Sequence, residues 1–151
     1  PRELAERLAL QKAVTVHRNH PGALVLGADQ VAGLEDGRIL GKPGSPERAI
    51  EQLRSMRGGI VTWHSGIALV GATFRWTAVV DTTLRIRDLD DDEIRRYVER
   101  DRPFDCAGAM RSESLGIALV ERMSSDDPTA LIGMPLVTVS AWLRKAGHRL
   151  P

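Results

Sequence analysis

Three short segments of the chain carry side chains that could do chemistry. Residues 27–30 (Gly-Ala-Asp-Gln) place a carboxylate after a short apolar run, and residues 41–43 (Gly-Lys-Pro) hold a lysine between two residues that restrict the backbone. Residues 106–113 place a second carboxylate, that of Glu113, among small residues. A carboxylate can bind a divalent metal or activate water, and a lysine can bind phosphate as a point charge. Together these residue types favour hydrolysis of a nucleotide.

Each of these residues also has an ordinary structural interpretation. An aspartate after a strand, at a Gly-Ala turn, is commonly a turn former, and Asp29 taken alone fits that interpretation better. Lys42 fits a phosphate ligand and a solvated loop lysine about equally well, whereas Lys12 taken alone fits the solvated face of a helix. The case for a functional Glu113 depends on its small neighbours, which would suit a pocket lined by backbone: Ala107, Gly108, Ala109 and Ser112.

Several other polar positions carry weaker signals. Arg111 could pair with a phosphate or with a carboxylate, and the sequence does not choose between them. Residues 124–129 could form a metal or lid loop, although a solvated turn fits better. Cys106 is interpreted as a small buried residue because no histidine is placed to activate it. The four histidines show no metal-ligand spacing, and the three tryptophans are expected to pack.

The elements that must position these residues alternate between helix and strand. Apolar spacing of three and four residues predicts helices, and β-rich or alternating runs predict strands. The predicted helices cover residues 2–17, 46–57, 90–100 and 135–146. The predicted strands cover residues 23–26, 31–34, 38–40, 60–70, 77–86 and 116–121. The strands at 31–34 and 38–40 flank residues 35–37 (Glu-Asp-Gly), which predicts a hairpin, and Ser45-Pro46 and the pair Asp90 and Glu93 predict capped helix starts. This order predicts an α/β fold, with a mixed sheet and flanking helices.

Composition narrows the class of protein further. The chain has 151 residues and 42% hydrophobic residues, so residues 1–151 are predicted to form a single domain. Its 21 basic and 20 acidic residues nearly balance, which gives no electrostatic footprint for nucleic acid or for an anionic membrane. The single Cys106 excludes an internal disulfide and favours a cytoplasmic location. No apolar run approaches the roughly 20 residues of a membrane span.

These segments, taken in order, resemble the Maf family of nucleoside triphosphate pyrophosphatases. The resemblance runs over nearly the whole chain and includes residues 8–13, 27–30, 41–43, 66–69, 106–108 and 133–136. The pair Asp29-Gln30, the pair Ser112-Glu113 and the acidic segment 126–128 are most similar to the subfamily that acts on 7-methyl-GTP.

The resemblance implies a reaction, a cofactor and an assembly. The reaction converts a nucleoside triphosphate and water to the monophosphate and pyrophosphate, with a divalent metal, Mg²⁺ or Mn²⁺. The implied protein is a homodimer of elongated α/β chains related to the inosine-triphosphatase type, each with two lobes and a central cleft. Asp29 matches the proton acceptor, Gln30 and Glu113 match specificity positions, and Lys12 and Lys42 match lysines near the phosphates.

One part of the family pattern is not matched. The family begins with a strand and a Ser-x-Ser-x-x-Arg phosphate-binding motif, whereas this chain begins at Pro1 and enters a predicted helix at once. We therefore expect the N-terminal strand to be missing from this sequence. The alternative to an active enzyme is accordingly a catalytically impaired module that binds nucleotide.

Overall fold

The computed structural model describes residues 1–151 and confirms the predicted α/β class. Four helices and five strands alternate along the chain, with three short 3₁₀ turns between the third helix and the fourth. The helices are α1 (Arg2–Asn19), α2 (Pro46–Met56), α3 (Asp91–Asp101) and α4 (Leu136–Lys145). The strands are β1 (Val25–Leu34), β2 (Ile39–Leu40), β3 (Ile60–Val70), β4 (Arg75–Ile86) and β5 (Val120–Ser125).

The five strands form one sheet in the order β2-β1-β3-β4-β5. β1 and β2 form the predicted hairpin, with antiparallel register Ala32 to Leu40 and Gly33 to Ile39. Gly37 closes its turn at a φ of +86°, a conformation that glycine adopts without the steric penalty of a Cβ.

The chain divides into two compact units. Unit 1 comprises Pro1, Val31–Trp63 and Thr83–Ser124, and unit 2 comprises Arg2–Gln30, His64–Thr82 and Ser125–Pro151. Unit 1 therefore contains α2 and α3, and unit 2 contains α1 and α4. The expectation that residues 1–151 form a single domain stays a prediction.

Small residues bring α1 very close to the sheet in unit 2. Ala5, Ala9 and Ala13 are fully buried along one face of the helix. A Cβ added to Gly27 would lie 2.9 Å from the Cβ of Ala13, which is closer than carbon atoms can approach. The predicted end of a strand at Gly27 is therefore wrong. This glycine permits packing against α1, and β1 continues through it to Leu34.

Helix caps fix the starts of both helices of unit 1, as the sequence predicts. Ser45 caps α2 by accepting a hydrogen bond from the Arg48 amide, and Pro46 occupies the first position of the helix. Asp90 and Glu93 form a capping box at the start of α3, with hydrogen bonds of 2.7 and 3.0 Å. These caps satisfy amide groups that the helix cannot pair internally.

The predicted strand at residues 116–121 is the main error in element assignment. Residues Leu115–Leu119 form a 3₁₀ turn instead, and β5 begins at Val120 and extends to Ser125. The amides of Ser114 and Gly116 both donate to the Arg111 carbonyl, at 3.2 and 3.0 Å, which closes a turn before the strand. Part of the segment expected to be a polar loop therefore belongs to a strand.

The close approach of α1 to the sheet can be tested at Gly66. A Cβ at this position of β3 would lie 2.8 Å from the Glu6 amide nitrogen in the helix backbone. We expect Gly66→Ala to lower the free energy of unfolding by about 1–3 kcal/mol, as overpacking does in other cores. Urea denaturation measures the change. Gly22→Ala is the matched control, because nothing lies within 4 Å of its added Cβ; equal stability of the two variants would contradict the packing argument.

Candidate functional site

Lys12 and Asp29 form an ion pair in unit 2. The Nζ of Lys12 lies 2.5 Å from Oδ1 of Asp29 and 3.3 Å from the Ala28 carbonyl oxygen. The Asp29 side chain is 16% exposed and the Lys12 side chain 58% exposed. Asp29 lies inside β1, so its interpretation as a turn former, and its predicted place after the end of a strand, are wrong. The strand presents a partly exposed carboxylate beside a lysine that is open to solvent.

Gln30 points away from Asp29, because consecutive residues of a strand face opposite sides of the sheet. Its Nε2 lies 2.9 Å from the Ser65 hydroxyl and 3.0 Å from each carbonyl oxygen of Ala130 and Leu131. Ser65 is buried and donates its own proton to the Ala130 carbonyl at 2.6 Å. Both carbonyls can only accept, so they fix the orientation of the amide. These hydrogen bonds use only Nε2, so Oε1 of Gln30 is left as a hydrogen-bond acceptor.

Asp127 is a buried carboxylate that caps α4. Its side chain is 1% exposed and accepts hydrogen bonds from the amide and hydroxyl of Thr129, at 2.9 and 2.6 Å. Its other oxygen accepts from the Val137 amide at 2.7 Å, at the N-terminus of the helix. Neither a solvated turn nor a metal loop describes this residue, because its carboxylate is engaged by groups of the chain itself.

Lys42 lies on a loop of unit 1, and two hydrogen bonds fix the backbone of the residue before it. The Gly41 carbonyl accepts from Nε2 of Gln52 at 3.1 Å and from the Gly108 amide at 3.3 Å. Pro43 is buried, whereas Lys42 itself is exposed. The structure therefore places an exposed ammonium group on a fixed loop, next to the segment at 107–109.

The small residues at 107–109 fill space in the core of unit 1. Gly108 adopts a φ of +70°, and a Cβ on it would lie 3.0 Å from the Trp63 ring. Ala109 also has a positive φ, of 52°, and is fully buried. At Gly108 the indole of Trp63 occupies the space that a side chain would fill, so this glycine itself leaves no room for a ligand. The expectation of a pocket lined by the other small residues stays a prediction. The expectation that Trp63 packs is confirmed.

Glu113 is exposed, and its neighbours are tied to α3 and to the loop before them. The guanidinium of Arg111 donates to Asp105 at 3.0 Å and to the Asp101 carbonyl at 3.3 Å. Within unit 1, Arg111 therefore pairs with a carboxylate, one of the two partners that the sequence left open. Cys106 is half-buried, not buried as predicted. Burial still raises the pKa of its thiol, which keeps it protonated near neutral pH and argues against a thiolate nucleophile.

Comparison with known proteins identifies the family of this sequence. Residues 1–146 match the family described as Maf-like protein. The chain is 50% identical over its whole length to a protein of Aromatoleum aromaticum, and covers 78% of it. It is 47% identical over 98% of its length to a protein of Cupriavidus pinatubonensis, covering 75% of it, and 48% identical over 99% to a protein of Polaromonas sp. strain JS666, covering 69%. All three relatives are named 7-methyl-GTP pyrophosphatase.

This chain belongs to the Maf family. The resemblance inferred from the ordered motifs is thereby confirmed. The structure adds where the candidate site residues lie: Lys12 and Asp29 are in contact within unit 2, Gln30 is on the other face of β1, and Lys42 and Glu113 are in unit 1.

Two further observations concern metals and membranes. No group of three or more histidine, cysteine, aspartate or glutamate side chains is arranged to hold a metal ion. None of the helices combines the length and the apolar character that a membrane span requires.

Three residues of this Maf chain were missed by reasoning from sequence. Ser65, Tyr97 and Asp101 are buried and hydrogen-bonded beside candidate residues. The signal for Asp101 is its position four residues after Tyr97, on the apolar stripe of α3, where an acidic residue is unexpected. Ser65 interrupts the buried apolar face of β3 in a comparable way, but a buried serine is too common to stand out.

The cap on α4 predicts a pH dependence of stability. Burial alone would raise the pKa of Asp127, but hydrogen bonds from Thr129 and from the amides of Val137 and Thr138 outweigh it, and the pKa is lowered. A lowered pKa contributes stability above the usual value near 4, and this contribution is lost as pH falls through the folded-state pKa. Asp127→Asn should therefore cost about 1–3 kcal/mol at neutral pH, and its difference from the original chain should shrink below about pH 4.

Urea denaturation at several pH values measures this difference. Asp126→Asn is the matched control, because Asp126 is the exposed neighbour. A gap between Asp127→Asn and the original chain that stayed constant from pH 7 to pH 3 would contradict the ionised cap.

Proposed function

We propose that this chain hydrolyses 7-methyl-GTP to 7-methyl-GMP and pyrophosphate. The observation that carries the proposal is 47–50% identity, over nearly the whole chain, to Maf proteins named for this activity. The enzyme class is a hydrolase acting on acid anhydrides. No observation favours the alternative of a catalytically impaired module that binds nucleotide.

Asp29 is proposed as the proton acceptor. A water oxygen attacks the α-phosphorus, the bond from that phosphorus to the bridging oxygen breaks, and pyrophosphate leaves with the bonding electron pair. The proton of the attacking water passes to the carboxylate of Asp29. The partial exposure of this side chain within β1 supports the role, because a buried carboxylate could not meet water.

Lys12 is proposed to orient Asp29 and to bind phosphate. An ammonium group has three donors, and two of them face Asp29 and the Ala28 carbonyl. One donor therefore remains for a phosphate oxygen. Lys42, exposed on its fixed loop, is proposed as a second phosphate ligand.

A divalent cation, Mg²⁺ or Mn²⁺, is proposed as the cofactor. When bound, it would neutralise charge on the triphosphate and polarise the phosphoryl group. The residues fit a cation carried mainly by phosphate oxygens, because Mg²⁺ in such sites uses only one or two protein carboxylates and Asp29 offers one. A cage made of protein ligands alone does not fit, since no cluster of three acidic, histidine or cysteine side chains exists.

Glu113 and Gln30 are proposed to read the base. The ring system of 7-methylguanine carries a positive charge, and its Watson–Crick edge presents N–H donors. The exposed carboxylate of Glu113 can accept from these donors and offset the charge. Gln30 can accept through Oε1, because its Nε2 is already bound by the chain.

The homodimer and the cytoplasmic location remain proposals that rest on the resemblance to the family. An exposed group of apolar side chains at 132–137 is compatible with a protein contact, and it includes Ile132 and Val137.

Asp29→Asn tests the reaction. Asparagine keeps the size of the side chain but cannot take a proton, so we expect pyrophosphate release from 7-methyl-GTP to fall roughly 10²–10⁴-fold. Nucleotide binding, measured by calorimetry with Mg²⁺, should survive. Asp36→Asn is the matched control, since Asp36 pairs only with Arg38 in the hairpin turn of unit 1. Full activity of the Asp29 variant would remove this residue from its role.

Glu113→Gln tests the choice of base. Glutamine can still accept a hydrogen bond but carries no charge, so kcat/KM for 7-methyl-GTP relative to GTP should fall by roughly five- to tenfold. The Glu99→Gln variant, at an exposed position of α3, should keep the original ratio. The proposed charge contact would be wrong if both variants showed the selectivity of the original chain.

A further inference from the structure

Two buried side chains of α3 form hydrogen bonds with the chain on either side of Glu113. Tyr97 is 5% exposed and its hydroxyl oxygen accepts a hydrogen bond of 3.0 Å from the Arg111 amide. Asp101, one helical turn later, is 8% exposed, and its Oδ1 accepts from the Ser114 hydroxyl at 2.5 Å. One contact precedes Glu113 by two residues and the other follows it by one.

The same short segment is closed by further hydrogen bonds. The Arg111 guanidinium donates to the Asp101 carbonyl, and the Arg111 carbonyl accepts from the amides of Ser114 and Gly116. The backbone from 111 to 116 is therefore fixed at several points, whereas the side chain of Glu113 between them stays exposed. This arrangement holds a carboxylate outward on a rigid support.

Stability alone does not explain Asp101. Its second oxygen, Oδ2, is buried without a hydrogen-bond partner, and an unpaired buried carboxylate oxygen is unfavourable. An apolar residue would fill this position of the apolar stripe of α3 without that penalty. Burial raises the pKa of Tyr97 well above its usual value, and the Asp101 carboxylate adds to the rise, so the phenol stays neutral. A buried polar group that breaks the apolar pattern beside a candidate base-reading residue is typical of functional sites.

We propose that Tyr97 and Asp101 are positioning residues that set base selectivity by fixing the segment at 111–114, and through it Glu113. The inference rests on the proposed role of Glu113 in reading 7-methylguanine. Neither side chain needs to touch the substrate. Their effect is to present the Glu113 carboxylate in one place before the base arrives, which removes an ordering cost from binding.

Two conservative variants separate this role from simple support of the fold. Tyr97→Phe keeps the ring but removes the acceptor for the Arg111 amide, and Ser114→Ala removes the donor to Asp101. Each should lower kcat/KM for 7-methyl-GTP relative to GTP by roughly three- to tenfold. The loss should lie in KM for 7-methyl-GTP, with kcat unchanged, because a base contact acts on binding. Ser114→Thr retains the hydroxyl and should retain the ratio.

The control is a buried hydroxyl outside this segment. Thr82→Val removes the hydrogen bond from Thr82 to Ser125 in unit 2 and should leave the selectivity ratio unchanged, even if stability falls. All variants are assayed where circular dichroism shows them fully folded. If Ser114→Ala does not fold, Tyr97→Phe decides the test, since it preserves the packing of the ring.

The outcomes distinguish this inference from the proposed function. A lowered ratio for Tyr97→Phe and Ser114→Ala, with Thr82→Val unchanged, supports the positioning role. An unchanged ratio for both variants, while Glu113→Gln lowers it, overturns the positioning role and leaves the proposed function standing. Absence of 7-methyl-GTP hydrolysis by the original chain overturns both.

Discussion

The contact between α1 and the sheet is the constraint on which the candidate chemistry of unit 2 depends. Three buried alanines on the helix face glycines of β1 and β3, and these glycines leave no room for even a Cβ. Because the helix backbone lies this close, Lys12 reaches the carboxylate of Asp29 across a short gap. A larger residue at either glycine would push the lysine away from its partner. The packing of small residues thus determines the geometry of the charged pair.

Buried acidic groups perform two different tasks in this molecule. Asp127 has both oxygens paired with donors of the chain, so it stabilises the start of α4. Asp101 has one oxygen paired and one unpaired, so it is poorly explained by stability. The contrast matters because the sequence alone does not distinguish these two aspartates. Only the complete set of partners separates a helix cap from a residue that holds a functional segment in place.

The fold was largely predictable from sequence because its signals are local. Ser45-Pro46 and the Asp90–Glu93 box specify helix starts through contacts within a few residues, and Gly37 marks a hairpin in the same way. The errors arose where distant packing decides. The sequence predicts the end of a strand at Gly27 because nothing nearby in the chain reveals α1 above it, and nothing near Gly108 in the chain reveals that the Trp63 ring packs against it. The candidate site was predictable as residue types and family positions, whereas the pairing of Lys12 with Asp29 and the opposite orientation of Gln30 required coordinates.

The fixed amide of Gln30 limits which residues this position can accept. Glutamate has nearly the same shape as glutamine, yet at this position it would turn a carboxylate toward the oxygens of Ser65, Ala130 and Leu131. Repulsion among these oxygens would displace the side chain or the turn at 130–132. A lineage acquiring an acidic residue here must therefore rebuild that turn in the same step or beforehand. Because two of these oxygens belong to the backbone, only a different path of the turn, and not a change of side chain, would relieve the repulsion.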